Sequence, residues 1–291
     1  MEALEIGIAG LLLNLHSNNK YLNISLPICH REFTQPAELA QAGLNSPKKN
    51  HRLYLDFIDS RPHNFAGGHS IYRSESWELL ISHEAEWVFY APSEMLPYSI
   101  YVSTDFSQGK VVGDFSQLAG KPNYPIEVLE IRLFSAWLAS LGDLILHASG
   151  VALNGKGYCF VGESGAGKST LAAVLAADPA VTVLGEDQVI LRYLDGKFWI
   201  FGTPWHMDPK MCSPLGVPLE KLYFLDRSLP PGVREVKPGQ GVANLMQTAF
   251  IPYYLREFLP GILDRLSLLA ERVPFYTLSY NMGSDPLPLL R

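Results

Sequence analysis

The chain has 291 residues, of which 47% are hydrophobic and 18% are charged, a composition that supports a buried core and excludes a disordered chain. Lys plus Arg number 23 and Asp plus Glu number 29, which gives a net charge of −6 and argues against general DNA or RNA binding. The length allows one large domain or two ordinary ones.

The cysteines and the apolar segments indicate the class of protein. The three cysteines are widely spaced and form no CxxC pair, so the sequence predicts neither a disulfide framework nor a zinc site. The apolar residues 6–15 follow Glu2 and Glu5 instead of basic residues, so we interpret them as a buried strand and not as a signal peptide. No run approaches the roughly 18 apolar residues of a membrane span. We therefore expect a soluble, cytoplasmic protein with no membrane partner.

Residues 1–125 predict a β-rich N-terminal domain. Short segments with β-branched and aromatic residues alternate with Asn, Ser, Pro and Gly clusters, a pattern typical of antiparallel strands. The predicted strands are 10–15, 22–26, 51–57, 77–82, 86–90 and 99–103. The polar stretch 41–50 predicts a solvated loop.

The pattern changes at Pro125, where we place the start of a second domain, residues 126–291. A helix is predicted over residues 126–141, opened by the proline and closed by Gly142. Its apolar residues recur four apart, at Leu129, Leu133, Trp137 and Leu141.

The rest of this domain predicts an α/β fold. Two hairpins are indicated by Asn154-Gly155 and Asp195-Gly196, each between apolar runs. The predicted strands are 144–147, 151–153, 158–161, 181–184, 189–193, 198–201, 222–225 and 275–280. The predicted helical segments are 169–177 and 241–273.

A glycine-rich loop between a predicted strand and a predicted helix carries the strongest functional signal. Residues 162–169, GESGAGKS, fit the Walker A pattern G-x-x-x-x-G-K-[ST] without a mismatch. Glycines let backbone N–H groups converge on phosphate oxygens, and the helix N-terminus adds partial positive charge. The predicted nucleotide-binding residues are Gly162, Glu163, Ser164, Gly165, Ala166, Gly167, Lys168, Ser169 and Thr170.

Individual side chains of this loop have distinct expected roles. Lys168 is long enough to reach the β- and γ-phosphates, and the hydroxyl of Ser169 is suited to bind Mg²⁺. The loop therefore predicts a nucleotide with Mg²⁺, although a phosphate loop alone defines neither the base nor the reaction; ATP is the nucleotide that the family resemblance described below implies.

The acidic pair Glu186-Asp187 follows a predicted strand 18 and 19 residues after Lys168. In a right-handed strand–helix–strand unit both strands run parallel, so the pair is expected beside the phosphate loop. A carboxylate there would bind Mg²⁺, as we predict for Asp187, or accept a proton from an attacking hydroxyl. The alternative interpretation is that the two acidic residues are simply exposed to solvent at the end of a strand and have no role in a site.

His147 and the segment 202–206 are further candidates for the site. His147 ends a predicted strand next to the strand that enters the loop, so it is either a structural residue or a group that acts on the reacting phosphate. The segment 202–206, GTPWH, is either a proline-stiffened turn with Trp205 capping the core or a wall of the pocket.

These residues together resemble a known family. The segments LHASGVALNGKGYCFVGESGAGKSTLAAVLA, LGEDQVIL and FGTPWH resemble the C-terminal domain of HPr kinase/phosphorylase, and more closely the HPr-kinase-related ATP-dependent kinases, some of which accompany ribosomal-peptide modification genes. The resemblance covers roughly residues 126–291. Residues 1–125 do not resemble the N-terminal domain of the HPr kinases themselves.

The resemblance implies a phosphotransferase with a carboxykinase-like P-loop core. In that family the residue matching His147 assists at the reacting phosphate, and the pair matching Glu186 and Asp187 supplies a general base and a Mg²⁺ contact. The first acid is Asp in the HPr kinases themselves and Glu here. The HPr-recognition signature near the C-terminus has no counterpart, so HPr is not the expected substrate.

Three functions are compatible with these features. The favoured one is a kinase that transfers the γ-phosphoryl group to a Ser or Thr hydroxyl of a peptide or small protein, with His147, Lys168, Glu186 and Asp187 as catalytic residues. A nucleotide-binding regulatory module without transfer and a carboxykinase-type lyase are the alternatives. HPr kinases form hexamers, but the different N-terminal half leaves open whether this chain is a homo-oligomer.

Overall fold

The structure is a computed structural model that describes residues 2–34, 51–60, 68–92, 98–119, 122–206, 208–281 and 286–290. It is a mixed α/β protein with two large sheets and few helices. The predicted solvated loop 41–50 lies outside the described residues.

The N-terminal half is built almost entirely of strands. They are β1 (Glu2–Ile8), β2 (Leu11–Ser17), β3 (Asn23–Ile24), β4 (His51–Asp59), β5 (Gly68–Arg73), β6 (Glu78–Ser82), β7 (Trp87–Ala91), β8 (Tyr98–Val102), β9 (Gln108–Gly113) and β10 (Pro122–Asn123). Eight of them form one sheet in the order β1-β2-β4-β9-β8-β7-β6-β5, and β3 pairs with β10.

Parts of the sequence prediction for this half are wrong. Residues 6–15 form a hairpin instead of one strand, because the chain reverses at Ala9-Gly10, where φ is 54° and 78°. The pairing is not purely antiparallel, since β2, β4 and β9 run parallel to one another. Residues 22–26 contain only the two-residue β3, whereas the other five predicted strands are present.

The predicted helix at the start of the second half is confirmed as α1 (Glu127–Ser140). Leu129, Leu133 and Trp137 on its apolar face are fully or almost fully buried. The helix ends before Gly142, whose φ of +74° lies in the left-handed region that glycine adopts without strain.

The described residues of the second half form eight further strands and four further α-helices. The strands are β11 (Leu144–Leu153), β12 (Lys156–Val161), β13 (Val181–Gly185), β14 (Gln188–Leu194), β15 (Lys197–Phe201), β16 (Gly216–Leu225), β17 (Gly232–Glu235) and β18 (Phe275–Ser279). The helices are α2 (Lys168–Leu175), α3 (Pro238–Thr248), α4 (Leu259–Arg272) and α5 (Leu287–Leu290). The predicted helical region 241–273 is therefore two helices with an irregular connection between them.

Both predicted hairpins of this half are confirmed. Asn154 and Gly155 have φ of 53° and 75°, and Asp195 and Gly196 have φ of 49° and 80°. Positive φ at both central residues is the geometry of the type I′ turn, which Asn-Gly and Asp-Gly favour. The first turn brings β11 and β12 together and so directs the chain into the glycine-rich loop.

The strands of the second half form a single sheet in the order β12-β11-β14-β15-β16-β18-β17, with β13 paired to β11 and β12 also paired to β16. Alternate residues of β12 and β16 belong to two different apolar clusters, because successive side chains of a strand point to opposite faces. The first cluster includes α3 and α4, and the second includes α2. The helices therefore cover both faces of the sheet.

Residues of the two halves pack against each other. One apolar core includes residues of the N-terminal sheet together with α1, β14 and β15. The buried guanidinium of Arg192 donates to the backbone oxygen of Ala9 and to the carboxylate of Asp143. The division into domains 1–125 and 126–291 stays a prediction.

Among the described residues, no helix combines the length and the apolar character that crossing a bilayer requires.

Candidate phosphate-binding site

The glycine-rich loop joins the end of β12 to the start of α2, as the sequence predicts. Gly165 and Gly167 have φ of +81° and +99°, and Gly167 precedes the first residue of α2. At Gly162 an added Cβ atom would lie 2.9 Å from the Cβ of Ala166. All three positions therefore require glycine, two for backbone conformation and one for space.

The strands around the loop bring the other candidate residues to the same edge of the sheet. Both β12 and β13 pair antiparallel with β11, so they run parallel to each other on either side of it, as expected. The acidic pair directly follows β13, which ends at Gly185, as the sequence predicts. The chain continues from β13 through Glu186 and Asp187 into β14, which pairs with the same strand β11. Glu186 and Asp187 therefore lie at a break between β13 and β14, which both pair with β11.

Lys168 is folded back over the loop that precedes it. Its Nζ atom donates to the backbone oxygens of Gly162 at 2.8 Å and Glu163 at 3.1 Å, and it lies 3.1 Å from Nε2 of His147. The side chain is almost fully buried. Burial lowers the pKa of the ammonium group, and the negative charge of Asp187 partly opposes this shift.

His147 connects the lysine to the acidic pair. It lies within β11, which runs on to Leu153 instead of ending at the histidine. Its Nδ1 atom is 3.2 Å from Oδ1 of Asp187, and its ring meets Phe250 edge to face. An ammonium group has only donors, so Nε2 accepts from Lys168 and Nδ1 carries the proton that points to Asp187. These contacts assign to His147 the tautomer that carries its proton on Nδ1.

Glu186 lies next to this chain of contacts. Burial raises the pKa of its carboxyl group, and the negative charges of Asp208 and Asp187 raise it further. Asp208 comes from the segment after β15, and its carboxylate accepts from the backbone N–H of Lys210. The sequence gives no signal for Asp208, because its proximity to Glu186 depends on the fold.

The segment 202–206 contributes to the core more than to a pocket wall. Trp205 packs edge to face on Phe134, and its Nε1 donates to the buried carboxylate of Glu130. This matches the turn with a capping tryptophan. His206 lies 3.1 Å from the hydroxyl oxygen of Thr203, and burial lowers its pKa to about 4.

Arg227 is a neighbour of the loop that sequence reasoning missed. A Cβ atom added at Gly167 would lie 2.1 Å from Nη2 of Arg227, so the guanidinium group packs directly on the start of α2. Tyr280, from the chain just after β18, donates its hydroxyl to the backbone oxygen of Gly167. Neither residue lies in a motif that would place it there.

The comparisons with known proteins include a distant structural likeness. No protein-family model matches the chain, and no curated protein matches it in sequence. Among solved structures, the HPr(Ser) kinase/phosphatase from Coxiella burnetii is similar, with a TM-score of 0.30 and 15% identity. That match covers 50% of this chain and 84% of the other.

Proposed function

We propose that this chain is an ATP- and Mg²⁺-dependent kinase that transfers the γ-phosphoryl group to a Ser or Thr hydroxyl of a peptide or small protein. The observation that carries the proposal is the continuous set of contacts from Asp187 through His147 to Lys168 beside the glycine-rich loop. It supports the proposal because a cation, an imidazole and a carboxylate lie together beside the loop.

The glycine-rich loop and Lys168 would bind the phosphate groups of the nucleotide. The left-handed glycines let the backbone N–H groups of the loop turn toward an anion, and the N-terminus of α2 adds partial positive charge. The ammonium group of Lys168 would move from the loop carbonyls onto the phosphate oxygens. Fixed positive groups of this kind stabilise charge that develops in the transition state.

The residues present fit a magnesium–nucleotide complex. The exposed Ser169 lies in the first turn of α2, and Asp187 contacts His147, which in turn contacts Lys168. The described residues contain no cluster of three or more His, Cys, Asp or Glu side chains that would hold a metal alone. Mg²⁺ commonly takes only one or two protein ligands beside phosphate oxygens and water, so Ser169 and Asp187 would suffice. When bound, Mg²⁺ would neutralise charge on the transferred phosphate.

The acidic pair would act on the hydroxyl group that accepts the phosphoryl group. Glu186 would accept the proton of the attacking hydroxyl as the new oxygen–phosphorus bond forms and the bond to the leaving ADP oxygen breaks. The raised pKa of Glu186 makes it a better proton acceptor than an exposed carboxylate. His147 would orient Asp187 through its Nδ1 proton and would continue to accept from Lys168 through Nε2.

The test is incubation of the full-length protein with γ-labelled ATP, Mg²⁺ and candidate peptides, followed by mass spectrometry of the peptides. We expect a phosphorylated Ser or Thr with the wild type and at least a roughly 100-fold lower rate with Lys168→Ala. Binding of ATP without a labelled acceptor, with Glu186→Ala behaving as wild type, would favour the regulatory module. Turnover in Lys168→Ala at the wild-type rate would contradict the proposal.

A further inference from the structure

A recess opens on the glycine-rich loop, away from the acidic pair. It is a cleft of ≈ 530 Å³ lined by loop residues 162–166, by the end of β16 with the residues that follow it, and by α3. This volume lies in the range of roughly 300–1,000 Å³ typical of small-molecule sites. The cleft is continuous with the proposed phosphate site because both include the same loop.

The strand order fixes which side of the loop the cleft occupies. Along this edge of the sheet, β13 and β11 lie on one side of β12, and β16 lies on the other. Asp187 and His147 therefore flank the loop from one side, and the cleft flanks it from the opposite side. A nucleoside triphosphate is an extended molecule with the reacting phosphate at one end and the nucleoside at the other. With its reacting end at Lys168 and Asp187, the other end lies on the side of β16.

The lining of the cleft has the chemistry of a nucleoside site. Phe224 and Leu225 supply apolar surface, and α3 supplies the carboxamides of Asn244 and Gln247. The Oδ1 atom of Asn244 accepts from Nε2 of Gln240 at 2.8 Å, which fixes the orientation of the amide and assigns its Nδ2 group as the donor. An apolar wall with a few placed amides suits a base and a ribose, whose edges carry donors and acceptors.

The charge between the cleft and the loop suits the polyphosphate. Arg227 lines the cleft and also packs against Gly167, so its guanidinium group stands where the nucleoside end meets the phosphates. A guanidinium group binds phosphate oxygens through parallel N–H donors. The neighbouring Asp226 carboxylate accepts from the backbone N–H and hydroxyl of Ser228.

We infer that this cleft binds the nucleoside end of the triphosphate, with Asn244 and Gln247 contacting the base or ribose. The inference rests on the proposed function, since it assumes that the reacting phosphate lies at Lys168.

The test compares ATP with inorganic tripolyphosphate, which has the phosphates but no nucleoside. Binding of both is measured by calorimetry in the presence of Mg²⁺ on the full-length wild type, on Asn244→Ala/Gln247→Ala and on Lys168→Ala. Both α3 positions are at least partly exposed, so the double variant is expected to fold. Ser267→Ala, at an exposed position of α4, is the matched helix control.

We expect the double variant to bind ATP roughly tenfold more weakly, with unchanged affinity for tripolyphosphate. Lys168→Ala should weaken the binding of both ligands. Unchanged ATP affinity in the double variant, with or without loss of phosphoryl transfer, would overturn the inference, and loss of transfer alone would assign the cleft to the acceptor. A wild type that binds neither ligand would overturn the proposed function as well.

Discussion

The Nζ atom of Lys168 lies 3.1 Å from Nε2 of His147, so the lysine of the glycine-rich loop and the imidazole share a hydrogen bond. An ammonium group has three donors, and the carbonyls of Gly162 and Glu163 take the other two. A phosphate that binds Lys168 must therefore replace at least one of these acceptors. In the proposed exchange the loop carbonyls are released as the phosphate arrives, and Nε2 of His147 keeps its contact with the ammonium group.

The first prediction concerns the coupling of His147 and Asp187. Because the two side chains are in contact, we expect His147→Gln and Asp187→Asn each to lower kcat/KM by on the order of 10²- to 10⁴-fold. We expect the double variant to lose much less than the product of the two factors, because groups that act as a unit are not additive. The measurement is a double-mutant cycle on phosphoryl transfer. His147→Gln combined with Asp178→Asn, at a partly exposed position after α2, is the control, and strict additivity in the His147–Asp187 cycle would show that their contact has no role.

The second prediction compares two glycines of the loop. Both have positive φ, but an added Cβ would meet nothing within 4 Å at Gly165, whereas at Gly167 it would collide with Arg227. We expect Gly165→Ala to lower the free energy of unfolding by about 1 kcal/mol through backbone strain alone. Gly167→Ala should cost somewhat more, because the flexible end of the Arg227 side chain must also move. Urea denaturation measures both, and a smaller loss at Gly167 than at Gly165 would contradict the packing of Arg227 on the loop.

The third prediction concerns the pH dependence of stability through His206. Burial lowers its pKa from 6.5 to about 4, so on acidification the unfolded chain binds a proton before the folded one does. The stability linked to neutral His206 is fully present above pH 6.5 and is lost as the pH falls toward 4, by on the order of 3 kcal/mol. We expect His206→Gln to lose less stability than the wild type between pH 7.5 and 4.5, by denaturant titration. A change equal to that of His83→Gln, an exposed histidine, would contradict this account.

The fourth prediction concerns the buried carboxylate of Glu130. It is fully buried and lies within 3.1 Å of three side chains, His30, Tyr124 and Trp205. Removal of the carboxylate leaves those polar groups without their acceptor. We therefore expect Glu130→Ala to lower the free energy of unfolding by roughly 3–5 kcal/mol. The exposed Glu127→Ala on the same helix should change stability by no more than about 0.5 kcal/mol. Similar melting temperatures for the two variants would refute this role of Glu130.

Much of the second half could be predicted because its signals are local. The turns at Asn154-Gly155 and Asp195-Gly196 and the apolar period of α1 depend on neighbouring residues, and the structure contains all three. The motif GESGAGKS likewise predicted the glycine-rich loop and its position between a strand and a helix. These features are determined by backbone conformation within a few residues.

The features that were missed depend on contacts between distant residues. Ala9-Gly10 lacks the Asn-Gly signature, so the sequence did not separate β1 from β2. The parallel pairs of β2, β4 and β9 join strands far apart in the chain. Arg227 and Asp208 reach the site only through the path of the chain after β16 and β15. No local pattern encodes such contacts.

The most direct test of the account is an experimental structure of the protein with Mg²⁺ and a non-hydrolysable ATP analogue. The account predicts a γ-phosphate oxygen within about 3 Å of Lys168 Nζ. It also predicts the metal between Ser169 and Asp187, with the nucleoside against α3. A triphosphate bound away from the loop, or with its γ-phosphate directed away from His147 and Asp187, would contradict the proposed kinase.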